Sequence, residues 1–347
     1  MADTQLSQTA AKKRLVITGM GHYFPPEVLT NEFFEGLDIG AKADWTYERV
    51  GIRQRHSVLT AEHIRQLRYG LTTRQELIDA GHIATMAEMC KEPWQLALSR
   101  SEHGQKSPAI DLVIAGTSVP DWDIPANACS IAAGLGLECT AFDVNSACSS
   151  FVVDLHAARG LMLSDMASCV AIFNAERYST RLDFSDRSSC MLFGDGAAAT
   201  LLSSHQHIHG LELIDTIVES SPTGFQSVRM AEGGLFTQNG AAVQRFAVTK
   251  TVAITRQLLA RHDLVANDLA YFVSHQANYR MLTSACDKLG ITPEQHLHNV
   301  ELRGNQGAAG APSVLSAHWD RFQVGDLIAV AVVGSGLTWG AALFKRV

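Results

Sequence analysis

The sequence predicts an α/β fold with buried sheets. Three observations predict it: short apolar runs rich in Val and Ile, helix-length segments that follow them, and turn-forming residues between them. Because the runs are apolar on both faces of a strand, they are typical of sheets covered by helices on both sides. The runs occupy 15–19, 111–117, 140–145, 168–174, 270–275 and 327–333. Gly, Pro, Asp and Ser cluster at 116–125 and 221–226, where loops are expected.

The same local design occurs twice along the chain. At 140–163 and again at 270–290, an apolar run ends at a reactive side chain and a helical segment begins at once. This suggests two similar halves, 1–200 and 201–347. The polar region 57–108 is longer than a typical loop, so we expect helices within it and interpret it as an excursion over the surface.

Composition and charge exclude several classes of protein. The chain has 347 residues, of which 46% are hydrophobic and 18% charged, enough for one large domain or two fused halves. A net charge of −7 gives no overall field that would attract nucleic acid or an anionic membrane. We therefore predict neither as a partner.

The cysteines indicate a reducing compartment. There are seven, with no C-x-x-C pair, and the odd number would leave one outside any full set of disulfides. No apolar signal core follows the basic residues of the first segment, and no run is long enough to span a bilayer. These features predict a cytoplasmic protein.

Cys148 is the first candidate for a reactive group. It is expected where a strand ends and a helix over 148–163 begins, among small residues that allow a substrate close approach. Backbone N–H groups and the helix dipole would lower the thiol pKa there. Considered alone, a free cysteine is more often buried and inert, and we assign that state to the other six.

His275 and Asn305 change this balance. His275 ends an apolar run and is expected at the carboxyl edge of a strand, where ligands of α/β sheets bind. Asn305 lies among glycines that allow tight backbone approach. Together the three supply a nucleophile and two hydrogen-bond donors, which suits a thioester and an enolate. Papain-like proteases use the same trio, but with a different signature around the cysteine.

Six stretches of the chain, in order, resemble β-ketoacyl-ACP synthase III of the thiolase superfamily. ACSS alone would be weak, whereas the ordered set is specific. The stretches are DWTYERVGIRQRH (44–56), AFDVNSACSSF (141–151), FGDGAAATLL (193–202), VSHQANYRM (273–281), GNQGAAGAPSVL (304–315) and GDLIAVAVVGSGLTWGAAL (325–343).

The resemblance implies a five-layered αβαβα thiolase fold in a homodimer. It implies that Cys148 takes an acyl group from CoA or a carrier protein, and that His275 and Asn305 stabilise the enolate of a malonyl-type or β-ketoacyl donor. The backbone N–H groups of Cys148 and Gly336 would form the oxyanion hole. Ser335 replaces a glycine common in that turn, and we expect this to alter little.

The resemblance also implies a set of substrate-binding residues. Trp45 and Arg187 match positions that hold the adenine end of CoA, and Arg49 matches one near the tunnel mouth. Asn278 matches a position along the pantetheine arm, although it could equally bond helix backbone. Ile124 matches a residue that reaches the partner subunit's acyl pocket.

Two departures favour a natural-product ketosynthase. The segment 56–89 is longer than in primary-metabolism enzymes of the family, and Ile124 is smaller than the aromatic residue common there. A larger acyl group would then fit the pocket. We expect a role in polyketide or fatty-acid-derived biosynthesis.

Three further features have ordinary explanations. His205, His207 and His209 alternate, but no carboxylate or cysteine cluster accompanies them, so we predict neither a metal nor a redox cofactor. Asp195 is expected to shape a turn. A basic helix face of Lys250, Arg256 and Arg261 could meet an acidic carrier protein or simply be solvated.

Two other functions stay open at this point. The enzyme could pass the acyl group of Cys148 to an oxygen or nitrogen, although that needs a base more than two enolate donors. Alternatively, the chain could be a non-catalytic partner subunit of a ketosynthase, against which the intact trio argues.

Overall fold

The computed structural model describes residues 13–102, 107–204 and 209–347. The strands in these ranges are β1 (Val16–Tyr23), β2 (Glu27–Thr30), β3 (Gln54–Ser57), β4 (Leu112–Gly116), β5 (Thr140–Asp143), β6 (Cys169–Glu176), β7 (Gly196–Ser203), β8 (Leu211–Ser220), β9 (Val228–Met230), β10 (Phe236–Gln238), β11 (Tyr271–Ser274), β12 (Leu327–Gly334) and β13 (Thr338–Arg346).

The α-helices in the same ranges are α1 (Asn31–Glu35), α2 (Ala43–Val50), α3 (Ala61–Arg68), α4 (Arg74–Asp79), α5 (Met86–Arg100), α6 (Asn127–Leu135), α7 (Ser150–Leu163), α8 (Gly240–Ala260), α9 (Tyr279–Leu289), α10 (Val300–Arg303) and α11 (Gly310–Ala317). Short 3₁₀ helices occupy Ala147–Ser149, Tyr178–Arg181, Pro222–Ser227, Ala266–Asp268, Gly307–Ala309 and Trp319–Arg321. None of the helices described is both long and apolar enough to cross a bilayer.

Nine strands form one mixed sheet in the order β11-β12-β13-β8-β1-β7-β6-β4-β5. The sheet has a seam between β1 and β8, where only Val16 with Glu212 and Ile17 with Leu211 are paired. Within each side of the seam, neighbouring strands can pair over many more residues; β12 and β13, for example, form eight residue pairs. The sheet is therefore two half-sheets that share a narrow edge.

Strand pairing repeats on the two sides of the seam. β1 is antiparallel to β7, β7 to β6, and β6 is parallel to β4. β8 is antiparallel to β13, β13 to β12, and β12 is parallel to β11. The two similar halves of the predicted fold are thus present, while their boundary near residue 200 stays a prediction.

Helices cover both faces of each half-sheet, giving the five layers αβαβα. Because successive side chains of a strand point to opposite faces, β6 sends Val170 and Ile172 to one core and Ala171 and Phe173 to another. The first core lies around α7 and α11, between the two half-sheets. The outer layers are α5 with α6 on one side and α8 with α9 on the other. The predicted architecture is confirmed.

Region 57–108 contains the expected helices α3, α4 and α5, but it is not simply an excursion over the surface. Met89, Trp94 and Ala97 of α5 are buried against the first half-sheet, so α5 is a structural layer. Thr85 and Glu88 form a capping box at its start, which satisfies backbone N–H groups there. Residues 103–106 lie outside the described ranges.

Gly21→Ala is expected to destabilise the fold by roughly 1–3 kcal/mol, as overpacking does in cores. A Cβ on Gly21 would lie 1.8 Å from the carbonyl oxygen of Pro93, so α5 would have to move away from β1. Gly160→Ala is the matched control: this exposed position of α7 has no atom within 4 Å of an added Cβ. Helix propensity predicts a gain of about 1 kcal/mol there. Chemical denaturation measures both, and equal stability of the two variants would contradict the close approach.

Candidate active site

Cys148 lies in the 3₁₀ turn Ala147–Ser149 between β5 and α7. The predicted strand-to-helix junction is present, although α7 begins at Ser150 and not at residue 148. Asn145 accepts a hydrogen bond from the Ala147 backbone N–H through its Oδ1 (2.9 Å), and the Ser146 N–H donates to the Ser150 hydroxyl (2.9 Å). Ala147 has a φ of 47°, a left-handed conformation that is uncommon for a residue other than glycine. The turn thereby presents the Cys148 sulfur to a cavity.

The expectation of a lowered thiol pKa was wrong. Cys148 is half-buried in the cavity wall, and desolvation by the surrounding protein raises its pKa to about 12. The charge of Glu176 raises it further, while a hydrogen bond with Tyr178 acts in the opposite direction. At neutral pH Cys148 is therefore a thiol, and any attack by its sulfur would require loss of that proton.

His275 directly follows β11, and its backbone N–H donates to the carbonyl of Ala331 (2.8 Å), which continues the pairing with β12. Burial lowers the pKa of His275 to about 4. At neutral pH the imidazole is therefore uncharged, with one N–H. Its Nδ1 has no hydrogen-bond partner among the residues that the structure describes.

Asn305 is held from both sides of its backbone. Its N–H donates to the Leu192 carbonyl (2.8 Å), and its own carbonyl accepts from the Gly194 N–H (3.0 Å). The side-chain Oδ1 accepts from the Gly307 N–H (3.0 Å). Because that oxygen is engaged, the amide offers its NH₂ group as a donor.

A single cavity of about 590 Å³ brings Cys148, His275 and Asn305 together. Apolar side chains form much of its wall: Met191, Phe193, Val228, Met230, Phe236, Phe246 and Leu337. Cys148 and His275 follow β5 and β11, which are the two outermost strands of the nine. They meet because the half-sheets stack around the central helices.

Four of the five predicted substrate-binding residues also line this cavity, namely Trp45, Arg49, Arg187 and Asn278. The Arg187 guanidinium lies over the ring of Trp45, 5.2 Å from its centre, and donates to the carbonyl of Gly40. Asn278 caps α9 by accepting from the Met281 N–H (3.0 Å), the alternative role considered for it. Ile124 does not line the cavity: it is 86% exposed.

The turn at Gly336 borders the cavity. Its neighbours Val333, Gly334, Ser335 and Leu337 line the wall, and Gly336 itself has a φ of 134° that favours glycine. The Ser335 hydroxyl donates to the carbonyl of Val228 (2.7 Å). This hydrogen bond ties the turn to β9, which also lines the cavity. That the serine alters little stays a prediction.

The described residues of three other sequence candidates do not line the cavity. Asp195 is fully buried and accepts hydrogen bonds from the backbone N–H groups of Ser179 (2.9 Å) and Val58 (2.8 Å). Arg256 donates to the carbonyl of Lys288 (2.6 Å), so part of the basic face is engaged. His209 is exposed, whereas His205 and His207 lie outside the described residues.

Sequence reasoning missed Tyr178, Ser118 and Glu176. All lie at the carboxyl ends of β4 and β6, and Tyr178 Oη is 3.8 Å from the Cys148 sulfur. One feature of the sequence could have pointed to them: the apolar segment that forms β6, which is buried along its whole length, ends in the charged residue Glu176. Gly307 makes room for them, since a Cβ there would lie 2.5 Å from the Tyr178 ring.

Comparison with known proteins gives a consistent result. Residues 142–222 match the 3-oxoacyl-[acyl-carrier-protein] synthase III family, and 259–346 match the C-terminal region of that synthase. The chain is 32% identical over 346 residues to a β-ketoacyl-[acyl-carrier-protein] synthase III of Rhodobacter capsulatus, covering 96% of this chain and 99% of that protein.

Solved structures agree. The 3-oxoacyl-[acyl-carrier-protein] synthase III of Aquifex aeolicus has a TM-score of 0.83 and 28% identity, over 96% of this chain and 100% of the other. The priming β-ketosynthase of the R1128 polyketide pathway has a TM-score of 0.79 and 25% identity, over 98% and 99%.

Fold and relatives together define a thiolase-fold condensing enzyme, which is an acyltransferase. The chain belongs to the β-ketoacyl-ACP synthase III family. The resemblance inferred from the ordered motifs is confirmed.

Proposed function

We propose that the protein loads an acyl group onto Cys148 from an acyl-CoA or acyl-carrier thioester and joins it to a malonyl- or β-ketoacyl-thioester by Claisen condensation. The observation that carries this is the meeting of Cys148, His275 and Asn305 in one apolar cavity. Metal and redox cofactors have no part in the proposed reaction. The thioester group itself makes the acyl carbonyl electrophilic and the adjacent carbon able to form an enolate.

Acylation and condensation use different groups. In the first step the Cys148 sulfur attacks the thioester carbonyl carbon. The backbone N–H groups of Cys148 and Gly336 donate hydrogen bonds to the oxygen, which becomes negatively charged. In the second, the neutral His275 and the NH₂ group of Asn305 donate to the carbonyl oxygen of the second thioester and stabilise its enolate. A malonyl donor yields the enolate by losing CO₂, and a β-ketoacyl donor yields it by losing an α proton. The enolate carbon then attacks the carbonyl carbon of the acyl-cysteine, and the C–S bond breaks. The departing Cys148 thiolate takes up that α proton, or a proton from solvent when CO₂ was lost.

Trp45, Arg49 and Arg187 are proposed to hold the nucleotide end of CoA at the mouth of the cavity, with Asn278 beside the pantetheine arm. Support comes from the stacking of Arg187 on Trp45, which is 39% exposed and leaves an aromatic face for an adenine ring. The fifth residue, Ile124, is proposed to cross to a second copy of the chain. Its exposure, with that of Trp122 on the same loop, supports a homodimer.

A biosynthetic role in natural products is proposed on two grounds. The polyketide-priming ketosynthase shares the fold along almost all of both chains. The cavity of about 590 Å³ is wide enough for an acyl group longer than acetyl. Seven free cysteines support a location in the reducing cytoplasm.

Intact-protein mass spectrometry is expected to show a covalent acyl adduct on the wild-type enzyme and none on Cys148→Ala. The probes are acetyl-, octanoyl- and palmitoyl-CoA and the corresponding carrier-protein thioesters. Cys129→Ala is the matched control, because Cys129 is exposed and does not line the cavity. It should load like the wild type.

A second addition, of malonyl- or β-ketoacyl-thioesters, separates the remaining functions. A longer-chain product supports condensation. Release of free acid, an ester or an amide without chain extension would favour acyl transfer to oxygen or nitrogen. Absence of any adduct with every donor would leave the non-catalytic subunit as the better account.

A further inference from the structure

A continuous line of hydrogen bonds leads from the Cys148 sulfur to a buried carboxylate. The sulfur lies 3.8 Å from the Tyr178 hydroxyl oxygen, the Tyr178 hydroxyl donates to the Ser118 hydroxyl (2.9 Å), and the Ser118 hydroxyl donates to Glu176 Oε1 (3.1 Å). The hydroxyl hydrogens of Tyr178 and Ser118 are both used in bonds directed toward Glu176. The Cys148 S–H is therefore the group that can donate to the Tyr178 oxygen. The line has one direction from thiol to carboxylate.

The surrounding contacts hold this line in place. The Tyr178 ring stacks on Phe193 with centres 4.5 Å apart, and the edge of Phe236 closes it from another side. Glu176 is fully buried and accepts from the backbone N–H groups of Ser118 (2.9 Å) and Ala308 (3.2 Å). Its polar contacts in the described residues include no lysine, arginine or histidine.

Charge balance explains why such a line is useful. A thiolate formed beside an ionised Glu176 would place two negative charges in a poorly solvated region without a neighbouring cation. If the thiol proton moves to the carboxylate instead, the region carries one negative charge before and after. The helix start and the oxyanion donors then act on a single anion.

We propose that Tyr178, Ser118 and Glu176 form a proton relay that deprotonates Cys148 during acylation. Tyr178 contacts the reacting sulfur and is a catalytic residue, whereas Ser118 and Glu176 act through it and are positioning residues. This inference rests on the proposed acylation of Cys148. It goes beyond the three residues that carry the condensation.

During attack, each proton moves one group along the line. The S–H proton passes to Tyr178 Oη, the Tyr178 proton to Ser118 Oγ, and the Ser118 proton to Glu176. The sulfur electron pair forms the bond to the thioester carbonyl carbon, and the carbonyl π electrons move to oxygen. When the tetrahedral species collapses, the C–S bond to the donor breaks and the leaving thiolate takes the proton back through the same groups.

The test uses Tyr178→Phe, which keeps the stacked ring and removes only the hydroxyl. Two rates are measured from pH 5.5 to 9 on the whole enzyme: alkylation of Cys148 by iodoacetamide, which needs no acyl donor, and loading by the acyl-CoA that gives the wild-type adduct. General-base assistance of this kind contributes ~100-fold or more, so we expect Tyr178→Phe to be slower by about that factor at pH 7 in both reactions.

Glu176→Gln tests the far end of the relay by its pH profile. Burial raises the pKa of Glu176 to about 7, so the carboxylate is protonated at lower pH and cannot accept a proton. Wild-type rates should therefore fall as pH drops through this range, and the fall should disappear in Glu176→Gln. Burial keeps the pKa values of His275, Tyr178 and Cys148, which lie near this line, far from 7. Asp195, which accepts from the Ser179 N–H beside Tyr178, has a pKa raised by burial to about 6, and a fall due to Asp195 would be retained in Glu176→Gln.

Thr180→Val is the matched control, since the Thr180 hydroxyl, two residues from Tyr178, donates to the carbonyl of Arg177 (2.8 Å) and lies off the line. It should retain both the rate and the pH profile. If Tyr178→Phe is alkylated and loaded at the wild-type rates, the relay is wrong. It is also wrong if Glu176→Gln is slowed equally at all pH values and its rates still fall at low pH. An adduct that survives in Cys148→Ala would instead overturn the proposed function.

Discussion

Replacing His275 or Asn305 by alanine is expected to leave Cys148 able to accept an acyl group while condensation slows by ~100–1,000-fold for each residue, the cost of losing one donor to a developing oxyanion. The two side chains line the same cavity as Cys148 but make no hydrogen bond to it in the described structure. Burial keeps the pKa of His275 near 4, so at pH 7 it donates as a neutral imidazole. The enolate, and not the thiol, is the species that needs these donors.

The measurement follows the acyl-enzyme and the product together. The enzyme is loaded, a malonyl-thioester is added, and both the Cys148 adduct and the extended product are followed at pH 7. The variants should accumulate the adduct. His262→Gln is the control, because His262 is a half-buried histidine that contacts Asp215 (3.2 Å) and does not line the cavity. Loss of loading in the His275 variant would contradict this division of roles.

Local pattern was enough to place the proposed reactive residues. Cys148 and His275 each follow an apolar run that the sequence shows directly, and in both cases a strand ends within two residues of the end of the run. The position of Asn305 was predicted from the glycines around it. Gly304 has a φ of 70° and Gly307 one of 52°, which favour glycine. The stacking of the two half-sheets brings these residues into one cavity. The ordered family motifs predicted this stacking, whereas the pattern of any single segment did not.

The thiol pKa shows what local pattern does not give. A helix start predicts a lower pKa, but burial and the charge of Glu176 depend on packing between β4, β6 and the Cys148 turn. Tyr178 and Glu176 are about 30 residues away in sequence, and nothing in their own segment points to the sulfur. The same reason explains α5: its polar surroundings suggested a surface position, whereas Trp94 and its neighbours fill the space above β7.

Gly336→Ala is expected to reduce acylation of Cys148 by ~100-fold or more, comparable with the loss of an oxyanion donor elsewhere. With a φ of 134°, residue 336 is in a region that alanine adopts only at a cost of about 1–3 kcal/mol, and an added Cβ would lie 2.9 Å from the Thr338 hydroxyl. The turn should therefore rotate, and the residue 336 N–H should no longer point to the acyl oxygen. Acyl loading is measured by rapid quench and mass spectrometry.

Ser335→Gly separates this effect from a general loosening of the turn. It removes the hydrogen bond to Val228 but introduces no strain, so loading should change only a few-fold. Iodoacetamide needs no oxyanion hole, because alkylation forms no tetrahedral intermediate. Cys148 in Gly336→Ala should therefore be alkylated at nearly the wild-type rate while loading is lost. Equal loss of both reactions would mean that the substitution displaces the sulfur, and wild-type loading would remove Gly336 from the oxyanion hole.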